Sequence, residues 1–219
     1  MKKTVFGLLM LVSFYSNAQE YKIEDKAVTG VFELQGKTKA QIYSAITKWI
    51  SINYNSGKSV TQLSDSEGGN IIVKGINEIS YLTNTKILYP NMKSAPETAL
   101  TKFNHLIEIN IKDNKFRINY KIIDIDYEPS AKAYLTAEMI KMNFDCINLN
   151  GISESTLLEV DNFTDSALKK GFVGQEKRTN FCTATKNTYV QRNVDLVNSI
   201  KTTMLSIQSA VTTPASDGW

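Results

Sequence analysis

The sequence predicts an α+β fold. An antiparallel sheet carries helices on one face, in the order strand, helix, four strands, helix, with an insertion before the last helix. Three observations lead there. Val28, Gly30, Phe32 and Leu34 alternate, and after Gly36 the apolar spacing becomes helical, so a strand feeds a helix. Ile107, Ile109 and Ile111, then Phe116, Ile118 and Tyr120, alternate on either side of a short polar turn, as in a hairpin. Val190, Val194, Val197, Ile200, Met204 and Ile207 recur at helical spacing near the end of the chain.

In chain order, residues 1–18 read as a cleavable secretory signal. Lys2 and Lys3 form a positive start, Val5–Val12 a short apolar run, and Ser16-Asn17-Ala18 a small-residue cleavage site before Gln19. The apolar run is well short of the ~20 residues a membrane span needs. Residues 19–210 are expected to form one domain and 211–219 a loose tail. Within the domain the first strand ends at Gly36. Thr38 and Gln41 then have capping-box spacing, and Ile42, Ile46, Trp49 and Ile50 line one helical face up to Asn53. A second strand is expected near 59–64, and Asp65-Ser66-Glu67-Gly68-Gly69 turns the chain into a third at 70–74.

The hairpin is the most specific expectation. Asp113-Asn114 suits a two-residue type I′ turn, which sets Ile111 opposite Phe116, Ile109 opposite Ile118 and Ile107 opposite Tyr120. Beyond Ile122 the apolar positions become Ile123, Ile125 and Tyr127, one residue out of step, which predicts a bulge near Ile122-Ile123. Residues 129–186 form the insertion. In it, 131–142 is expected to hold a short helix, and Thr164 to Gly171 the cap and stop of another.

The formal charge is +3, and loss of Lys2 and Lys3 with the signal leaves +1. A near-neutral chain lacks the clustered basic face that nucleic acid requires, and no later segment is apolar enough to span a bilayer. Cys146 and Cys182 are the only cysteines, and an oxidising compartment would permit one disulfide between them.

A family resemblance rests on Gly36-Lys37-Thr38-Lys39-Ala40-Gln41-Ile42-Tyr43, Trp49, Asn53-Tyr54-Asn55-Ser56 and Val60. Asp65, Gly69, Ile71-Ile72, Lys74-Gly75 and Lys115-Phe116-Arg117 continue it. The wording resembles exported Gram-negative bacterial proteins described as a domain of unknown function with a TATA-binding-protein-like (TBP-like) fold. The match is strongest over 28–75, thinner over 104–126 and absent after Pro129. The resemblance implies a β-α-β-β-β-β-α core and an envelope setting. It brings no catalytic residues, and a name that reports shape does not imply DNA binding.

Candidate sites are few. Gly30 to Thr38 looks like a phosphate-binding loop, but five residues separate Gly30 from Gly36 where that motif has four, and a strand end plus a helix cap accounts for all of them. His105, the only histidine, lies on the Ile107 and Ile109 face, where a core histidine explains it as well as a catalytic one. Asp124, Asp126 and Glu128 could present carboxylates, or simply form a solvated strand face. The polar side of the hairpin, Glu108, Asn110, Arg117, Asn119 and Lys121, is a possible partner-binding face. Asp165-Ser166-Ala167 fits a short bacterial O-glycosylation pattern, and equally a helical turn.

The sequence therefore leads to no cofactor, no metal and no catalytic group. The expectation is a non-enzymatic envelope module that binds a protein, glycan or apolar ligand through its sheet face or its insertion. The alternative is a hydrolase built on His105 or on the Asp124, Asp126 and Glu128 group.

Overall fold

A computed structural model describes residues 20–127, 132 and 135–213. The expected signal, Glu128 and the last six residues lie outside them. The elements are β1 (Tyr21–Ile23), β2 (Ala27–Glu33), α1 (Lys39–Asn53), the single turn α2 (Gly57–Val60), β3 (Thr61–Asp65) and β4 (Asn70–Leu82). A second single turn, α3 (Thr85–Leu88), precedes β5 (Thr98–Lys112) and β6 (Lys115–Asp126). Further along the described residues come α4 (Ala137–Asp145), α5 (Glu154–Lys170) and α6 (Gln175–Thr212). The sheet is antiparallel with order β1-β2-β6-β5-β4-β3.

The sheet is built by period-two burial. Val28 and Phe32 of β2, Ile71 and Val73 of β4, Phe103, Ile107, Ile109 and Ile111 of β5, and Phe116, Ile118 and Tyr120 of β6 all face one side. Phe32 and Phe116, directly paired across strands, stack with ring centroids 4.7 Å apart. Helices α1 and α6 cover this face. α1 starts with the expected capping box, in which the Gln41 amide N–H donates to Thr38 Oγ1 and the Thr38 amide N–H to Gln41 Oε1. It buries Ile42, Ile46, Trp49 and Ile50, and Trp49 Nε1 donates to Ser206 Oγ of α6 at 2.9 Å.

The hairpin register is the expected one at all three positions. The turn type is not. Asn114 has φ 62° while Asp113 does not adopt positive φ, so the turn is not type I′. Its shape follows from docking on the β2–α1 loop. Asp113 Oδ1 accepts from the Lys39 amide at 2.7 Å, Asn114 Oδ1 from Gly36 at 2.9 Å, and the Asn114 carbonyl from Leu34 at 2.6 Å. The bulge falls where the apolar phase slips. His105 pairs with Ile122 and Asn104 with Asp124, leaving Ile123 as the extra residue, half-exposed. Inward positions on β6 therefore change from even to odd numbers, and Ile125 faces the helices with Phe103.

Other boundaries move. Ser59 and Val60 belong to the turn α2, capped by Ser56, so β3 starts at Thr61. β4 continues well past Lys74 because β5 pairs with it out to Leu82 opposite Thr98. β1, unexpected, is three residues long, and its Tyr21 ring fills the space that a side chain at Gly30 would need. The helix expected over 131–142 runs from Ala137 to Asp145 with Thr136 as its cap, and the start of the expected span falls outside the described residues. Thr164 is not a cap but lies inside α5, which Ser153 starts. At its end the left-handed residue is Phe172, one beyond Gly171, in a Schellman motif closed by Val173 N–H to the Leu168 carbonyl. α6 begins at Gln175, inside the stretch read as insertion, and reaches into the expected tail, where Val211 is buried. Among the described residues no helix is long and apolar enough to cross a membrane.

Candidate functional site

The expected candidates do not converge. His105 is 3% exposed and packs between Tyr120, with rings 4.6 Å apart, and Tyr54, whose Oη lies 3.2 Å from Nε2. Gly75, opposite His105, leaves the space for this pair; a Cβ there would meet Tyr54 and His105 inside 3 Å. Burial alone pushes the imidazole down to about 4, so it is neutral near pH 7, and Nδ1 has no partner. Asp124 and Asp126 project from the other side of the sheet, in register with Asn104 and Lys102, and Asn104 Nδ2 donates to Asp124 Oδ1 at 2.6 Å. The carboxylates and the histidine are thus on opposite faces of one sheet.

Glu108, Asn110, Arg117, Asn119 and Lys121 do share that open side, away from α1 and α6. They are knitted to one another more than presented: Arg117 donates through Nε and Nη2 to Asn110 Oδ1, whose amide donates to Asn70 Oδ1 at 2.8 Å. Asp165 is taken by Arg178, whose Nε lies 2.7 Å from Oδ1, while Ser166 is exposed near the C-terminal end of α5. Gly30 to Thr38 is strand, turn and cap.

The expected disulfide is absent. Cys146 and Cys182 are both free and buried. The Cys146 carbonyl accepts from Asn193 Nδ2 at 2.8 Å, whereas Cys182 sits against α5, its thiol 3.8 Å from the Asp161 carbonyl. Asn193 is three turns along α6 from Cys182, roughly 16 Å at 1.5 Å per residue, far beyond bridging distance. Burial pushes the Cys146 thiol up to about 11 and raises Cys182 as well, so neither is a ready nucleophile.

What the structure does assemble is a cavity of about 520 Å³ at the end of the sheet. Tyr81 of β4, Ile125 of β6 and the following Tyr127 form one wall; Leu135 and Asn143 and the α6 residues Tyr189 and Arg192 form the other. The bulge at Ile123 matters here, because without the phase slip Ile125 would point to the opposite face. Helix α4 and the residues just after it are anchored so as to hold the second wall. Lys26 Nζ donates to the Ile147 carbonyl at 3.0 Å and lies over the Phe144 ring, and the Leu149 amide donates to the Asp25 carbonyl at 2.8 Å.

Arg192 is the unusual member. It is 7% exposed, stacked over Tyr189 at 4.6 Å and near Phe103 at 5.9 Å. Its Nη2 reaches the Asn143 carbonyl at 3.4 Å, Nε has no partner, and no ion pair among the described residues involves it. Burial lowers the guanidinium from its ordinary value, yet a guanidinium keeps its charge in proteins. An uncompensated buried cation costs several kcal/mol. Tyr189 donates its hydroxyl to Asn143 Oδ1, and burial pushes that phenol up to about 12. Burial also raises Tyr127, an effect the nearby Asn143 amide partly offsets, but the Tyr127 hydroxyl makes no bond of good geometry.

Sequence reading passed over Arg192 because it looked for apolar residues. The signal was present: traced back from Val211 through Ile207, Met204, Ile200 and Leu196, the buried stripe of α6 runs onto Asn193 and Arg192.

The architecture defines an α+β module of the TBP-like kind. Residues 29–128 match the family described as "Domain of unknown function (DUF4468) with TBP-like fold". Two solved structures are similar in shape. A DUF4468 family protein from Bacteroides ovatus ATCC 8483 is 15% identical, with 88% of this chain and 89% of that one covered and a TM-score of 0.48. A TBP-like protein from Parabacteroides distasonis ATCC 8503 is 18% identical, with 85% and 92% covered and a TM-score of 0.44. Comparison with curated proteins finds no match. The matched segment supplies Tyr81, Ile125 and Tyr127, and residues beyond it supply the wall that carries Arg192.

Proposed function

We propose that the chain is an exported, non-enzymatic module of a Gram-negative envelope that binds a ligand in the cavity between the sheet end and the segment after β6. The observation that carries this reading is the cavity itself, with convergent polar groups on a largely apolar wall, which is the usual form of a ligand site. Export rests on Lys2, Lys3 and the apolar run ending at Ala18. A binding role is preferred to hydrolysis because His105 and the acidic residues Asp124 and Asp126 lie on opposite faces, out of reach of one another.

Native mass spectrometry of protein isolated from the periplasm tests this. The wild type should carry a small-molecule mass that denaturation releases. Thr185→Trp, which fills the cavity from α6, should lose that mass while keeping the wild-type circular dichroism. The same molecule retained by the filled variant would place binding elsewhere and sink the proposal.

A further inference from the structure

We propose that the cavity is a site for a small organic carboxylate, held by the Arg192 guanidinium with its apolar body against Ile125, Leu135 and Tyr81; this rests on the ligand-binding reading above. The argument is one of charge. Arg192 brings a full positive charge into a place shielded from water and meets no carboxylate among the described residues. Buried charges persist in folded proteins when something pairs with them. A neutral ligand would leave the guanidinium unpaired and an amine would be repelled by it. Lys102 and Asp126 also line the cavity as cross-strand partners, and Lys102 lies 4.0 Å from Glu78, so these charges have one another while Arg192 has none among the described residues. A carboxylate supplies the counter-charge that the buried guanidinium lacks.

The geometry favours a planar anion. Arg192 lies over the Tyr189 ring and bonds Asn143 only through Nη2 at 3.4 Å, so its unpartnered Nε is open to a carboxylate oxygen. The unbonded Tyr127 hydroxyl is a further donor on the facing wall. Tyr81, Leu100, Ile125 and Leu135 make most of the remaining surface apolar, although Asn84, Thr185 and Thr188 also line it, so the body of the ligand is apolar rather than a sugar rich in hydroxyls.

The test uses the full mature chain, refolded from denaturant to remove anything bound. Benzoate and phenylacetate are titrated against benzamide, phenylacetamide, acetate and inorganic phosphate, with the Arg192 Nε–H resonance and calorimetric affinity as readouts. The two aromatic acids should move that resonance and bind at least tenfold more tightly than their amides, acetate or phosphate. Arg192→Met should lose at least tenfold toward the acids and little toward the amides. Amides that bind as tightly as the acids would keep the ligand site and overturn the anion. Acetate or phosphate binding equally well would overturn the apolar body, and acids that bind without moving the Nε–H resonance would overturn the role of Arg192. No binding by any compound would overturn both readings. If Arg192→Met does not fold, the wild-type resonance alone decides.

Discussion

From Leu196 to Val211, α6 lays Leu196, Ile200, Met204, Ile207 and Val211 against the sheet and α1. From Cys182 to Val194 the same helix buries Cys182, Arg192 and Asn193, and turns Val190 (44% exposed) and Val194 (48%) outward. One continuous helix thus has a half that behaves as core and a half that behaves as the wall of a site. The first half gains from every apolar atom removed from water. The second half keeps a charge and a void where aliphatic packing would be more stable, which is how binding sites differ from cores.

The largest contrast should come from side-chain truncation. Phe116→Ala removes a ring stacked on Phe32 and should cost about 4 kcal/mol. Thr185→Ala, in the cavity wall, should cost less than about 0.5 kcal/mol. Urea denaturation of both variants measures this, and equal losses would erase the distinction between the halves.

Acid should act on the core of the sheet through His105 of β5. Its imidazole is held down to about 4 by burial, whereas in the unfolded chain it titrates near 6.5. Between those values the unfolded chain binds the extra proton. The contribution is therefore fully present above about pH 6.5 and is lost as pH falls toward 4, by at most about 3 kcal/mol. Urea midpoints at pH 7.5 and 4.5 should fall less for His105→Gln than for the wild type. Identical pH dependence in the two proteins would mean that the buried imidazole is not what acid attacks.

The smallest effect is expected on the outward side of the site half. Val190→Ser and Val194→Ser should each stay within about 0.5 kcal/mol of wild type, as exposed substitutions do. A loss near 2 kcal/mol, read from thermal melts, would show that these valines are covered in solution.

This division also decided what could be read in the sequence. Where one face of a strand or helix is buried, periodicity carries the answer: the pairing of Ile109 with Ile118, the Thr38 cap, the helix of Trp49 and the bulge at Ile123 all follow from apolar phase. Phase does not report on contacts from far along the chain, so the turn at Asp113-Asn114 was misjudged once Lys39, Gly36 and Leu34 engaged it. It also misleads where the buried stripe is polar. Val190 and Val194 extended the apolar pattern of α6 on paper, but the buried positions are Arg192 and Asn193. Cys146 and Cys182 were an even pair in sequence, and only the path of α6 separates them. The polar residues of the hairpin alternate with its buried ones, whereas the cavity, assembled from five separated stretches of chain, left no local pattern to find.

The most direct measurement is the unfolding free energy of ligand-free Arg192→Met against wild type. If Arg192 is kept for a ligand, methionine relieves a buried uncompensated charge and the variant is as stable as wild type, or more stable by about 1 kcal/mol. Benzoate, which raises the wild-type melting temperature, then leaves the variant's unchanged. A loss of about 2 kcal/mol or more in the absence of ligand would contradict the account, because it would make Arg192 a structural group that the stacking on Tyr189 and the bond to Asn143 already satisfy.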